Sequence, residues 1–326
     1  MEHNDQDPAT ISNCDAEPIH LLGGIQPIGF LLTMSTDGAV SRASENVHIY
    51  LGVTGAEILG RPVREFLPAD LLHDIRGRLQ LASNEGIVER LFGQPLVPEG
   101  PRFDVAVHFA GREAVLEFGP VTVETQNHLS ALRSMIARLE RRTSTEALFK
   151  VAVRLVRTFT GYDRVMAYLF DEVGAGEVIA ESVDGEMQPY LGLRYPGSDI
   201  PSQARALYRR NWLRMIVDVD AAPVPVIPAL SPEGEPLDLS MSVLRSVSPI
   251  QLEYLRNMGA RASMSISILR GGELVGLIAC HHREPKYLDL GTRTTAELFG
   301  QMFSHLLDAR QREEAAAQEA RARDSR

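Results

Sequence analysis

The stretch Arg194-Tyr195-Pro196-Gly197-Ser198-Asp199-Ile200-Pro201 places a single carboxylate between two prolines in an otherwise apolar region. Each proline fixes its own φ angle and disfavours a helical conformation in the residue before it. The main chain at Asp199 is therefore expected to follow a defined, non-helical path, with its carbonyl able to point at a ligand. A turn or a helix N-cap is the ordinary role of such an aspartate, because a helical pattern begins at Ser202.

The region before this stretch, residues 28–126, alternates strand patterns with helices. It contains a helical pattern over residues 71–79 and apolar runs of strand length at 29–33, 103–109 and 114–123. This order predicts a small antiparallel α+β domain that is compatible with a PAS fold.

The region that contains the opening stretch spans residues 127–310. Two helical patterns come first, and strand patterns follow at 164–170, 177–182, 263–269 and 274–280. This order fits a GAF-type α/β/α sandwich. The segment from 184 to 257 is too long for a simple connection, and such insertions usually have a function.

Composition excludes several classes of protein. The chain has 326 residues, 44% of them hydrophobic, and a net charge of −10 without a run of basic residues. These values predict a globular protein that binds neither nucleic acid nor a membrane and resides in the cytoplasm. Only Cys14 and Cys280 are cysteines, and a disulfide between them is not expected in a reducing compartment.

The opening stretch, together with the Gln203-Ala204-Arg205-Ala206-Leu207-Tyr208 that follows it, closely resembles the chromophore-pocket signature of the bacteriophytochromes. These proteins are red-light sensors that bind a bilin. The resemblance continues in family order along nearly the whole chain, at Cys14, Ile19-His20, Ile25-Gln26-Pro27, Asp163-Arg164-Val165-Met166-Ala167-Tyr168, Leu244-Arg245-Ser246-Val247-Ser248-Pro249 and Leu277-Ile278-Ala279-Cys280-His281-His282.

The resemblance implies biliverdin as a covalently attached cofactor. Cys14 matches the cysteine whose thiol adds to a vinyl group of the bilin A ring and forms a thioether. The neighbouring Asp15 and Glu17 would raise the thiol pKa, so attachment is expected to depend on proximity rather than on an activated sulfur. The resemblance also implies that residues 1–27 thread through the GAF insertion as a knot that crosses at Ile25, although an ordinary first strand is the alternative.

The resemblance further implies roles for residues that line the bilin pocket. The main-chain carbonyl of Asp199, next to Ile200, would accept from the pyrrole N–H groups, and His281 would bond the D-ring carbonyl. Around the D ring, the resemblance places Tyr168, Tyr195 and Tyr254. The propionates would be bound by Arg214 and Arg245, with Tyr208 nearby and with Ser248, Ser263 and Ser265 as candidate propionate or water ligands.

One pocket position departs from the family pattern. Gln251 stands where most relatives have a histidine above the B and C rings, and glutamine does not titrate near neutral pH. We therefore expect an altered pH dependence of the photoproduct. Ile28 and Val275 also replace residues that are frequent in the family, histidine and tryptophan respectively.

The leading functional prediction is a red/far-red photoreceptor module that signals by Z/E isomerisation of the bridge between rings C and D. Residues 311–326 are expected to end a helix that leads to a missing downstream domain of a sensor histidine kinase, which would act on a response regulator. The apolar helix stripes at 129–139 and 298–309 predict a homodimer through the GAF helices, with packing on their own domain as the alternative. The alternative function is a PAS-GAF sensor of a small metabolite or cyclic nucleotide. Such a function would leave the presence of Cys14 unexplained.

No catalytic residue or metal site is expected in this chain. It contains no nucleophile elbow, phosphate loop, HExxH or CxxC motif. Cys280, His281 and His282 are adjacent in a predicted strand and would point to opposite faces, which disfavours zinc.

Overall fold

The computed structural model describes residues 17–82, 86–122 and 127–324. Cys14 lies outside these residues. The described chain forms two antiparallel sheets with helices, as the α+β prediction requires. Among the described residues, no helix is both long enough and apolar enough to cross a bilayer.

The first domain is built on a seven-stranded sheet with the order β1-β11-β3-β2-β6-β5-β4, in which β11 (Val224–Ile227) comes from much later in the chain. Alternate residues of its central strands face a core under helices α1 to α3, as Phe30 and Leu32 do. The elements are β1 (Gly24–Ile25), β2 (Phe30–Met34), β3 (Val40–Ser44), α1 (Val47–Leu51), α2 (Gly55–Ile58), a 3₁₀ turn (Val63–Glu65), α3 (Ala69–Leu81), β4 (Glu89–Pro95), β5 (Arg102–Ala110) and β6 (Glu113–Pro120).

The second domain is built on a six-stranded sheet with the order β10-β12-β13-β7-β8-β9. Helices α4, α5 and α8 cover one face of this sheet. The elements are α4 (His128–Glu140), α5 (Thr145–Thr160), β7 (Arg164–Phe170), β8 (Gly176–Val183), β9 (Arg194–Tyr195), a 3₁₀ turn (Gly197–Asp199), α6 (Ser202–Arg210), β10 (Leu213–Ile216), β11 (Val224–Ile227), α7 (Pro249–Asn257), β12 (Ala262–Arg270), β13 (Glu273–His282) and α8 (Leu290–Asp324).

The predicted insertion, residues 184–257, contains more regular structure than its sequence indicated. Strand β10 forms one edge of the second sheet by pairing with β12. Strand β11 instead joins the first sheet, where it pairs with β1 and β3. The insertion therefore contributes to both domains, and its apolar residues Leu237, Leu239 and Leu244 pack on the face of the first sheet opposite α1 to α3.

The N-terminal strand lies between two arms of this insertion. Ile25 pairs with Val224 on one side and forms a bridge with Arg245 on the other. The Gln26 side chain donates to the carbonyl of Met215 at 2.9 Å and accepts from the amide of Val217 at 2.9 Å. These contacts hold the segment inside the insertion, while the knot itself stays a prediction.

Candidate functional site

The face of the second sheet opposite α4, α5 and α8 bears the polar residues. Because strand side chains alternate between faces, the helix side receives Met215, Met264, Ile278 and Val165. The residues next to them form two rows across the paired strands. One row is Arg214, Ser265, Ala279 and Met166, and the other is Ile216, Ser263, His281 and Arg164.

Two arginines at one end of this face are buried without an acidic partner. Arg214 is 7% exposed and Arg245 is 6% exposed. Neither forms an ion pair with a carboxylate in the described part of the chain. Burial lowers the pKa of both guanidinium groups, and for Arg214 the positive charge of Arg245 lowers it further. The negative charge of the buried Glu117 opposes this lowering of both pKa values, but Glu117 is beyond ion-pair distance. Buried cations without a close anion are costly.

Main-chain carbonyls of the insertion hold both guanidinium groups. Arg214 donates to the carbonyls of Arg245 and Ser246, each at 2.9 Å. Arg245 donates through Nη1 alone, to the carbonyls of Leu239 and Ser240 at 3.2 Å. Its Nη2 and Nε have no partner among the described residues and are not sealed from solvent. Arg245 therefore keeps donors available for a ligand.

A cavity of about 20 Å³ lies beside these arginines. Its wall includes Ile19, Tyr208 and Gln251 together with Arg214 and Arg245. The hydroxyl of Ser248 donates to the Glu17 carboxylate at 2.5 Å. The N-terminal segment thus reaches the same end of the sheet face.

Aromatic side chains occupy the other end of the face. The rings of Tyr168 and Tyr195 are 6.0 Å apart, and those of Tyr190 and Tyr195 are 6.4 Å apart. Burial, followed by the charge of Asp199, raises the pKa of Tyr168 to about 12 and also raises that of Tyr254. These phenols therefore stay neutral and act as hydrogen-bond donors or apolar surface.

The turn that contains Asp199 is not a helix cap. Asp199 ends the 3₁₀ turn, Pro201 is the N-cap of α6, and the Asp199 carboxylate accepts from the Tyr254 hydroxyl at 3.3 Å. Burial raises the Asp199 pKa, although the bond from Tyr254 opposes this change. Ile200 packs with Met166 and its aromatic neighbours.

Arg205 holds this turn in place. Its guanidinium donates to the carbonyl of Ile200 at 2.8 Å and to that of Gly174 at 2.6 Å. The same group lies over the Phe170 ring, 4.2 Å from the centroid. The main-chain path at Asp199 therefore depends on a cation as well as on the two prolines.

His281 is buried at the aromatic end of the face. Its Nδ1 lies 2.8 Å from a guanidinium nitrogen of Arg164. Burial, with the charge of Arg164 as a second cause, lowers the His281 pKa to about 3. The imidazole is therefore neutral at physiological pH.

Comparisons with known proteins identify this architecture. A GAF domain model matches residues 144–309, and a PAS fold model matches residues 14–121. The structure is similar to the chromophore-binding domain of a Stigmatella aurantiaca bacteriophytochrome variant in the Pr state, with 42% identity and a TM-score of 0.82 over 91% of this chain and 99% of that one. This chain belongs to the bacteriophytochrome family.

Other bacteriophytochromes agree with this assignment. The chromophore-binding domain of an unusual bacteriophytochrome from R. palustris is 36% identical, with a TM-score of 0.84 over 92% of this chain and 99% of that one. A bacteriophytochrome of Pseudomonas aeruginosa is 43% identical over 92% of this chain. The chain spans 41% of the length of that relative. The predicted order of a PAS domain and then a GAF domain is confirmed.

Within this bacteriophytochrome fold, the candidate residues that the structure describes lie on this sheet face or on the insertion beside it, whereas Cys14 lies outside the described residues. Ser263 and Ser265 share the face with Arg214 and His281, as strand alternation predicted. Three contributors were missed: Arg164 and Arg205, which lie inside quoted motifs, and Tyr190, which does not. The sequence did mark Arg164. It lies two residues before Met166 and four before Tyr168 in an apolar strand, so its side chain is expected on the same face as theirs.

Proposed function

We propose that this chain is the biliverdin-binding, red/far-red light-sensing module of a bacteriophytochrome. The strongest support for this function comes from Arg214 and Arg245. Both are buried cations, and neither forms an ion pair with a carboxylate among the described residues. A bilin has two propionates, and a guanidinium group suits a carboxylate because it is permanently charged and can donate two parallel bonds. Tyr208, Ser248, Gln251 and Ser265 lie at or near the same end and would supply further polar contacts.

The aromatic end of the sheet face suits the bilin D ring, which is the ring that turns on isomerisation. The Asp199 carbonyl would accept from pyrrole N–H groups, and Tyr168, Tyr195 and Tyr254 would surround the D ring. Ile200 adds apolar contact beside Asp199, and Ser263 lies in one row with His281. Light would change the hydrogen bonds of the D ring, and a protein element with two arrangements would transmit the change.

Covalent attachment through Cys14 is part of the proposal. Glu17 contacts Ser248 at the propionate end, and three residues of chain span at most about 11 Å. This tether limits how far the Cys14 thiol can be from the cavity. Proximity would then favour thioether formation with a vinyl group of the A ring.

The module would act within a longer protein. We assign residues 1–27 to the attachment segment, 28–126 to the PAS domain, 127–310 to the GAF domain and 311–326 to the helix that leads to an output domain. That output would be a histidine kinase with a response regulator as partner, in the cytoplasm. Leu129 on α4 is 78% exposed, and Leu298 and Met302 on α8 are exposed too, which supports a homodimer through these helices.

The propionate role can be tested by titrating the protein with biliverdin and with its dimethyl ester, and following the red absorbance band. Wild-type protein is expected to bind the free acid at least tenfold more tightly, because the ester removes both negative charges. The Arg214→Met/Arg245→Met variant should lose this preference, whereas Arg209→Met, at an exposed α6 position, should keep it. Equal binding of acid and ester would overturn the role, and preferential binding of a cyclic nucleotide would favour a metabolite sensor.

A further inference from the structure

A third arginine, Arg164, is buried at the aromatic end of the sheet face. It begins β7 and is 0% exposed. No carboxylate in the described ranges is within ion-pair distance of its guanidinium group. The group donates to the carbonyls of Gln188 at 2.8 Å and Met258 at 3.3 Å, and lies 3.9 Å from the centroid of the Tyr190 ring.

Among the described residues, Arg164 also contacts Nδ1 of His281, at 2.8 Å. A guanidinium group has only donors, whereas each ring nitrogen of a neutral histidine is either a donor or an acceptor. A proton on Nδ1 would place two donors against each other in a buried site, at the cost of a lost hydrogen bond. Nδ1 therefore accepts, and the ring proton is on Nε2.

The Nε2–H group of His281 has no hydrogen-bond partner in the part of the chain that the structure describes. The Nε2 atom also keeps some accessible surface. His281 is on the pocket side of the sheet, in one row with Ser263. The ring can therefore offer a donor to a ligand and has no acceptor left.

We propose that Arg164 is a positioning residue that fixes His281 as the Nε2–H tautomer, so that this end of the pocket selects a ligand group with an acceptor oxygen. The inference rests on the proposed function where that acceptor is the carbonyl of the bilin D ring. A ligand with an N–H group at this position would be rejected, because it would face a second donor.

Arg164 also supports the fold through the Gln188 and Met258 carbonyls, so its test needs a readout specific to the imidazole. Long-range ¹H–¹⁵N correlation spectra of the uniformly labelled, ligand-free chain distinguish the two tautomers. The His281 signals are assigned by their loss in His281→Gln. We expect the Nε2–H pattern in the wild type, unchanged from pH 8 to about pH 5, because the imidazole is buried beside a fixed cation.

The Arg164→Met variant should show a mixture of tautomers and titrate on the order of one pH unit higher than the wild type, because the neighbouring charge is gone. Arg164→Lys should restore the Nε2–H pattern, and Arg209→Met should match the wild type. An Nδ1–H pattern in the wild type, or an unchanged pattern in folded Arg164→Met, would overturn the proposal. If Arg164→Met does not fold, the spectra of the wild type and of Arg164→Lys decide whether the proposal holds.

The ligand-free spectra separate this inference from the proposed function. A chain that shows the predicted tautomer but does not bind biliverdin would refute the bilin proposal and leave the positioning role. A chain that binds biliverdin with the opposite tautomer would refute the positioning role alone.

Discussion

At the scale of single residues, the buried imidazole of His281 links the pocket to the pH dependence of stability. Its pKa is lowered to about 3 in the folded chain by burial and by Arg164, whereas an unfolded histidine titrates near about 6.5. Between these values the unfolded chain binds a proton that the folded chain does not bind. The contribution of His281 to the free energy of unfolding is therefore fully present above about pH 6.5 and decreases as the pH falls.

We expect His281→Gln to lose less stability than the wild type on going from pH 7.5 to pH 5. The difference should be about 2 kcal/mol in the free energy of unfolding, measured with urea on the ligand-free chain. His73→Gln, at an exposed position on α3, should keep the wild-type dependence. An equal loss in His281→Gln and the wild type would show that the imidazole is not held neutral.

Gln251 supports a second prediction for a single residue. It lies in the cavity wall with Arg214 and Arg245 and has no group that titrates between pH 6 and 9. In the biliverdin-loaded protein, Gln251→His should introduce a pH-dependent change in the absorbance of the photoproduct, because a histidine exchanges protons in this range. Identical spectral titrations of the two proteins would contradict this role.

At the scale of elements, the turn that contains Asp199 depends on α6. Arg205 extends from α6 to the carbonyls of Ile200 and Gly174. Arg205→Met should speed amide hydrogen exchange at residues 197–200 and weaken biliverdin binding about tenfold, which equals about 1.4 kcal/mol. Arg209→Met, on the same helix, is the control. Unchanged exchange and affinity in Arg205→Met would mean that the prolines alone shape the turn.

The regular elements of both domains were largely predictable from apolar patterns. The strand over 164–170 matches β7, and the shared face of Ser263 and Ser265 follows from alternation. Strand β10 was missed because it has only four residues and because the charged Arg214 interrupts the apolar run from Trp212 to Val217. The role of Arg205 was hidden because its partners are main-chain carbonyls, which leave no mark in the sequence.

At the scale of the whole molecule, a buried acid of the first sheet supports the pocket of the second domain. Glu117 on β6 accepts from the Ser242 hydroxyl at 2.6 Å and from the Leu244 amide at 2.9 Å. The Ser242 oxygen also accepts from the Arg245 amide at 3.1 Å. The main chain at Arg245 is therefore positioned from the PAS domain.

Removal of this acid should affect both stability and binding. Glu117→Ala leaves buried donors without partners, so we expect a loss of about 2 to 4 kcal/mol in the free energy of unfolding. Biliverdin binding by the folded fraction should weaken as well, because Arg245 loses its support. Glu65→Ala, which breaks an exposed pair with Arg61, should change neither quantity. Normal biliverdin affinity in folded Glu117→Ala would show that the PAS domain does not position Arg245.

Contacts between distant segments were not predictable from local patterns. Gln26 bonds to Met215 and Val217, which are about 190 residues away in the chain. Likewise, β11 lies in the middle of the predicted second domain and yet joins the first sheet. Periodicity and turn signals report on neighbours along the chain, so only the family resemblance indicated that the N-terminal segment and the insertion meet.

Light sensing through a bilin attached at Cys14 is tested by absorbance spectra of the protein with biliverdin before and after red illumination, with Cys14→Ala as control. We predict a red band that changes with light, and a chromophore that stays on the wild-type chain after denaturation but leaves the Cys14→Ala chain. The absence of a red band, or a band that light leaves unchanged, would contradict the assignment of this chain as a bilin photoreceptor module.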